Sequence, residues 1–288
     1  MSLIALTSAK GSPGVTTAAL ALALTWPLGS PGSRVLLLDA DMAGGDIAAG
    51  YLRGAVSAAD GILGLVSDRG PELPASMWSR SVALDEHGAR LVLTGISDPA
   101  QARSLGTLWT TLAAALSAGA HEGGRVTDVI VDLGRVGTVG EATALRQAAD
   151  LVLLVTRSSL PAAASARWAA RRLLEERTTA GGDAAAVACL LVGEGDPYGA
   201  AEIADAIELP VMGALAWDPA SAGVLSVGAP ASWRFTRSAL MRSARSVAAT
   251  LHTATVRPAS TSVRLDATDR PVTSVLAANE ARLREVAP

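Results

Sequence analysis

The residues best suited to chemistry stand near the start of the chain. There Ser8-Ala9-Lys10-Gly11-Ser12-Pro13-Gly14-Val15-Thr16-Thr17 joins an apolar run, Leu3–Thr7, to an Ala- and Leu-rich stretch. A small-residue loop between a strand and a helix N-terminus gathers backbone N–H groups around an anion, and the helix dipole adds favourable potential. Thr16 stands where a hydroxyl could ligate Mg²⁺ bound to phosphates. The ordinary phosphate loop, G-x-x-x-x-G-K-[ST], requires Lys before that Thr, and here the residue is Val15. By this pattern alone a merely tight strand–helix turn is the better fit. Lys10 is the only lysine among 24 basic residues, all the others being arginine.

Positioning such a loop takes a layered scaffold. Strands are expected near Leu3–Thr7, Arg34–Leu38, Leu91–Thr94, Val129–Asp132, Leu151–Val155, Ala188–Val192 and Val211–Ala214. These runs are continuously apolar rather than alternating, as in parallel strands covered on both faces. Helices are expected over Thr16–Thr25, Ala100–Ala118, Val139–Ala148, Pro161–Arg177, Gly199–Ile207 and Thr236–Thr255. The alternation implies βαβ crossovers in a three-layer α/β/α sandwich around a mostly parallel sheet of about seven strands. Asp41–Gly64, rich in Gly and Ala without periodicity, is expected to contain a mobile loop. No repeat of fixed period is present.

The loop resembles the deviant Walker A sequence K-G-G-x-G-K-[ST]-T of the ParA/MinD family of P-loop ATPases. Lys10, Gly11, Gly14, Thr16 and Thr17 match it, Ser12 replaces a Gly, and Val15 replaces the second Lys. Val35-Leu36-Leu37-Leu38-Asp39-Ala40-Asp41 is similar to the family's second strand with its D-x-D pair. Val129-Ile130-Val131-Asp132-Leu133-Gly134 is similar to its Walker B strand. Ala149–Thr156 and Ile203–Gly213 also resemble family segments, so the likeness covers roughly residues 1–255. Singly, each Asp reads as a cap or turn residue; three motifs in order on the expected strands read as a site.

The resemblance implies a seat for ATP and Mg²⁺ built from residues 10–17, that is Lys10, Gly11, Ser12, Pro13, Gly14, Val15, Thr16 and Thr17. It places Thr16, Asp39 and Asp132 at the metal, and Lys10 and Asp41 in catalysis, Lys10 reaching the partner's phosphates across a sandwich homodimer. Oxygen ligands at strand ends suit a hard cation. Loss of the second Lys removes a charge-assisted phosphate contact of about 1.5–3 kcal/mol, or roughly ten- to a hundredfold in affinity. Pro13 lacks an N–H. The run Leu190-Leu191-Val192-Gly193-Glu194-Gly195 has no base-reading Asn, and Trp217-Asp218-Pro219 replaces the usual Pro-led segment. Trp217 reads as a packing residue or a base-stacking platform. The implied function is positioning or partitioning with weak or slow ATP hydrolysis. The alternative is a non-hydrolysing pseudo-ATPase scaffold, of the TadZ/CpaE type, that docks partner proteins.

The composition narrows the field. The chain is 288 residues long, half apolar and 18% charged with a net charge of -3, which leaves ample core and argues against coating a polyanion as a whole. No apolar stretch reaches the ~20 residues of a membrane span and no secretory leader is apparent, so a cytoplasmic protein is expected. The single cysteine, Cys189, reads as a core residue and excludes a Cys-based cluster. His87, His121 and His252 lack zinc-ligand spacing. Residues 219–257 carry five arginines and no acidic residue. Arg234, Arg237, Arg242 and Arg245 form either a nonspecific DNA-contacting stripe or a solvated face, as do Arg167, Arg171 and Arg172. Residues 1–257 are expected to form the nucleotide-binding domain and 258–288 a tail of zero net charge.

Overall fold

The computed structural model describes residues 2–10, 13–68, 72–118, 127–138 and 142–256. Gly11, Ser12, the start of the expected helix Val139–Ala148 and the tail from residue 257 lie outside the described residues.

Eight strands form one sheet: β1 (Leu3–Ser8), β2 (Arg34–Asp39), β3 (Val82–Ala83), β4 (Arg90–Leu93), β5 (Thr127–Arg135), β6 (Leu151–Arg157), β7 (Val187–Val192) and β8 (Val211–Leu215). Their order is β3-β4-β2-β5-β1-β6-β7-β8, parallel throughout except for the antiparallel pair β3–β4. All seven expected strands are present. The eighth, β3, is two residues long, too short to show any period. The parallel strands are uninterrupted apolar runs because both faces are covered.

One face carries α2 (Leu73–Ser79), α3 (Leu108–Ser117), α4 (Thr143–Ala148), α5 (Leu160–Thr179) and α6 (Ala200–Ile207). The other carries α1 (Val15–Thr25), α7 (Pro219–Ser226) and α8 (Ala239–Val256). The expected helix Ala100–Ala118 is broken: a 3-10 stretch, Pro99–Leu105, is separated from α3 at Gly106. Cys189 is fully buried on β7. Asp41–Gly64 runs as turns and short 3-10 segments, with Ile47 and Ile62 fully buried.

Helix α1 packs beneath the sheet centre, its residues 18–23 all buried. A helix apolar on every side is stable only inside a core. Its far end is tied down where Trp26 Nε1 donates to Asp128 Oδ2 at 2.9 Å. Asp128 also accepts from the N–H and hydroxyl of Ser2 at 2.8 and 2.9 Å, and His252 on α8 stands 3.7 Å away. This polar cluster joins β5, β1, α1 and α8 at the edge opposite the strand C-termini.

Candidate functional site

Parallel strands deliver their C-terminal ends to one edge of the sheet, and β1, β6, β7 and β8 open there onto a cleft of about 550 Å³. Its floor is the N-terminus of α1. Gly14 precedes the helix at φ 95°, a left-handed conformation natural to glycine, and no side chain caps the helix. The first N–H groups of a helix have no intrahelical acceptor. Here Val15, Thr16 and Thr17 line the cleft with Pro13 and Gly14. Val15 is 7% exposed and packs into the core of the α1 face, so the residue beside Thr16 supplies no charge.

Thr16 connects this floor to a buried pair of carboxylates. Asp132 on β5 is 0% exposed, takes the Gly134 N–H on Oδ1 at 3.0 Å, and has no hydrogen-bond partner on Oδ2. Burial raises its pKa to about 6, against the opposing effects of the Thr16 hydroxyl and the Gly134 N–H. Asp39 sits opposite Asp132 in the β2–β5 ladder. A Cβ on Gly45 would fall 2.0 Å from Asp39 Oδ2, and one on Gly95 would fall 2.7 Å from its Cγ. Two glycines therefore wall this carboxyl in, and it does not line the cleft. Burial, and then the neighbouring Asp132, hold it well above the usual carboxylate range.

Asp41 does line the cleft, with Asp46 across from the α1 N-terminus. Its Oδ1 accepts the Ala43 N–H at 2.8 Å. Burial raises its pKa, partly offset by that N–H and by Arg135. The carboxyl rests on Gly134 (φ 61°), where a Cβ would come within 2.3 Å of it. Lys10 is exposed, and it borders a neighbouring depression of about 340 Å³ shared with Pro13, Arg157 and Ser159.

These residues fit a phosphate–Mg²⁺ group in part. Free helix N–H groups, the Thr16 hydroxyl and the unpartnered Oδ2 of Asp132 are the required donors and oxygen acceptors. Among the described residues no cluster of three or more His, Cys, Asp or Glu could hold a metal by itself. Mg²⁺ characteristically takes one or two protein carboxylates and completes its shell with water and phosphate.

The rest of the cleft wall includes Arg135 and Arg157, which the sequence does not single out, together with Trp217 and Asp218. Arg157 lies over the Trp217 ring at 4.0 Å. No periodic signal marks Arg157, which follows the apolar run of β6. Elsewhere, Arg167 and Arg171 pair with Glu208, and Arg172 pairs with Glu176 at 2.8 Å, so this stripe is largely neutralised. Arg234, Arg237, Arg242 and Arg245 are exposed and have no carboxylate partner among the described residues. Arg234 stacks 4.5 Å from the ring of Trp233, itself 78% exposed. No helix among the described residues is long and apolar enough to cross a membrane.

No protein-family model matches the chain, and no curated protein matches its sequence. Solved structures do match its architecture. MinD, the septum site-determining protein of Pyrococcus horikoshii complexed with Mg-ADP, is 16% identical with a TM-score of 0.62, over 87% of this chain and 95% of that one. A ParA family ATPase from Chlorobium tepidum is 16% identical with a TM-score of 0.59, over 86% and 99%. A variant of Cyanothece McdA in complex with ATP is 16% identical with a TM-score of 0.59, over 88% and 96%. The chain has the fold of the ParA/MinD P-loop ATPases.

Proposed function

We propose that this chain is a ParA/MinD-like nucleotide-binding protein of the positioning or partitioning type. ATP with Mg²⁺ occupies the cleft at the α1 N-terminus, and a sandwich homodimer forms around it in the cytoplasm, engaging a protein partner or DNA. The carrying observation is the uncapped α1 N-terminus opening onto a cleft, with the Thr16 hydroxyl bonded to the buried Asp132, whose Oδ2 has no partner. The solved complexes of the same fold with Mg-ADP and with ATP support the ligand class.

When bound, Mg²⁺ would supply positive charge that neutralises the phosphates. The chain's own contribution begins with the N–H groups of residues 15–17, which orient the phosphates. Thr16 and Asp132 hold the cation side, with Asp39 behind them sharing proton and charge. Asp41 organises water at the cleft wall, and Lys10 completes the partner's site. With Val15 in place of lysine, turnover is weak or slow.

The test is calorimetric titration of the full chain with Mg-ATP, beside phosphate release under the same conditions. Saturable binding that Thr16→Ala weakens about tenfold or more is expected, with slow release of phosphate. No heat at millimolar nucleotide would overturn the reading.

A second reading, the pseudo-ATPase scaffold, is favoured by one observation: Val15 is buried and Pro13 offers no N–H, so two phosphate contacts are absent. Nucleotide binding without any phosphate release, in wild type and Asp41→Ala alike, would select it.

A further inference from the structure

Arg157 is the last residue of β6, two past Val155, which pairs with Ser8 of β1. Adjacent strands lie about 4.8 Å apart, so Arg157 stands alongside the loop that follows Ser8. It borders both the main cleft and the smaller depression beside Lys10. Its guanidinium crosses the end of β7, where Arg157 pairs with Val192, and comes to rest 4.0 Å from the centre of the Trp217 ring.

The charge on Arg157 is not balanced by any described residue. Among the described residues no carboxylate pairs with it, and its Nε is buried without a hydrogen-bond partner. Arg135, the other cation of this wall, acts on Asp41 instead. Arg157 is half-buried, and its buried Nε–H lacks an acceptor that a bound anion could supply. Stacking on the indole supplies orientation: the plane is held while the N–H edges remain free to engage two oxygens of one phosphate. The nearby helix N-terminus adds positive potential, while Asp41, Asp46 and Asp218 line the same cleft without pairing with Arg157.

We infer that Arg157 is the phosphate-binding cation of this cleft, supplied in cis from the end of β6 where the α1 position carries Val15, with Trp217 as the platform that holds it. The inference rests on the nucleotide reading above and specifies it further. Arg157 grips the polyphosphate of a nucleoside triphosphate, and Trp217 acts through Arg157 as a positioning residue.

The test uses the full chain and two probes, Mg-ATP and inorganic tripolyphosphate with Mg²⁺, the second having phosphates and no base. Arg157→Ala is expected to weaken both by about ten- to a hundredfold. Arg157→Lys should recover part of that loss and Trp217→Phe nearly all of it, with Trp217→Ala in between. Far-ultraviolet circular dichroism and the melting temperature of each variant separate a lost contact from a lost fold. Arg157→Ala with undiminished affinity for both probes, in a chain whose wild type binds them and whose Thr16→Ala variant does not, overturns this inference alone. Loss of ATP binding with tripolyphosphate binding intact also overturns it, since the side chain would then be serving the base. A wild type that binds neither probe removes the nucleotide reading and this inference together.

Discussion

Asp39 and Asp132 are register partners across the β2–β5 ladder, and both carboxyls are buried. Two ionised carboxylates at that spacing and depth repel one another, so the folded chain keeps protons that the unfolded chain releases.

The sign of the resulting pH dependence follows from the raised values. The usual carboxyl value is 3.8 and that of folded Asp132 about 6, so between these limits folding retains a proton and stability falls as pH rises. Below the window the cost vanishes; above it the cost is complete. Asp132→Asn should raise the melting temperature at pH 8, by an amount equivalent to about 3 kcal/mol, and change it little at pH 4. Thermal melts across that range check this, and equal effects at both ends would contradict it.

Gly45 is constrained by Asp39 rather than by its own backbone. Gly45→Ala would set a methyl 2.0 Å from Asp39 Oδ2 and should destabilise the fold by roughly 1–3 kcal/mol. Asp39→Ala in the same chain vacates that space, so the double variant should be more stable than the sum of the two single effects predicts. Denaturant titration of the four proteins measures the coupling. Simple additivity would show that the two residues do not meet.

Lys10 is exposed beside the smaller depression next to the cleft, free to act on a second molecule. Under the dimer reading, Mg-ATP should drive association seen by sedimentation velocity, and Lys10→Ala should weaken it about tenfold or more while leaving the apo chain unchanged. A monomer at saturating nucleotide would remove the trans role of this side chain.

Four arginines, Arg234, Arg237, Arg242 and Arg245, offer unpaired charge beside exposed Trp233. If all four meet phosphates of duplex DNA, the logarithm of the binding constant should fall with that of salt concentration at a slope of about −3.6. Arg237→Glu with Arg242→Glu should abolish the gel shift and spare nucleotide affinity. A wild type with no salt-sensitive shift returns these residues to a solvated face.

Much of this architecture is legible in the residues themselves. The strands of the parallel sheet are legible because each is an unbroken apolar run, as Leu36-Leu37-Leu38 is in β2, and the run ends where the chain turns into the cleft. The helices α2 and α7 leave no such trace, being seven and eight residues long and opened by proline rather than by an amphipathic repeat. Within the site, Thr16, Asp41 and Asp132 are readable from their order along the chain. The enclosure of Asp39 is not, because it depends on Gly45 and Gly95 closing from two separate loops. Arg157 is invisible for a similar reason: its meaning comes from Trp217, which only the fold brings beside it.

The immobility of α1 has a consequence for how the cleft receives anything. A rod held by apolar neighbours on all sides and latched through Trp26 cannot tilt toward an incoming molecule. The opposing bank is the chain of turns after Asp41, where Gly45 and Gly50 pack closely against Asp39 and the Ser226 carbonyl. Both banks of the cleft are therefore preformed, and a ligand meets a seat that needs little rearrangement.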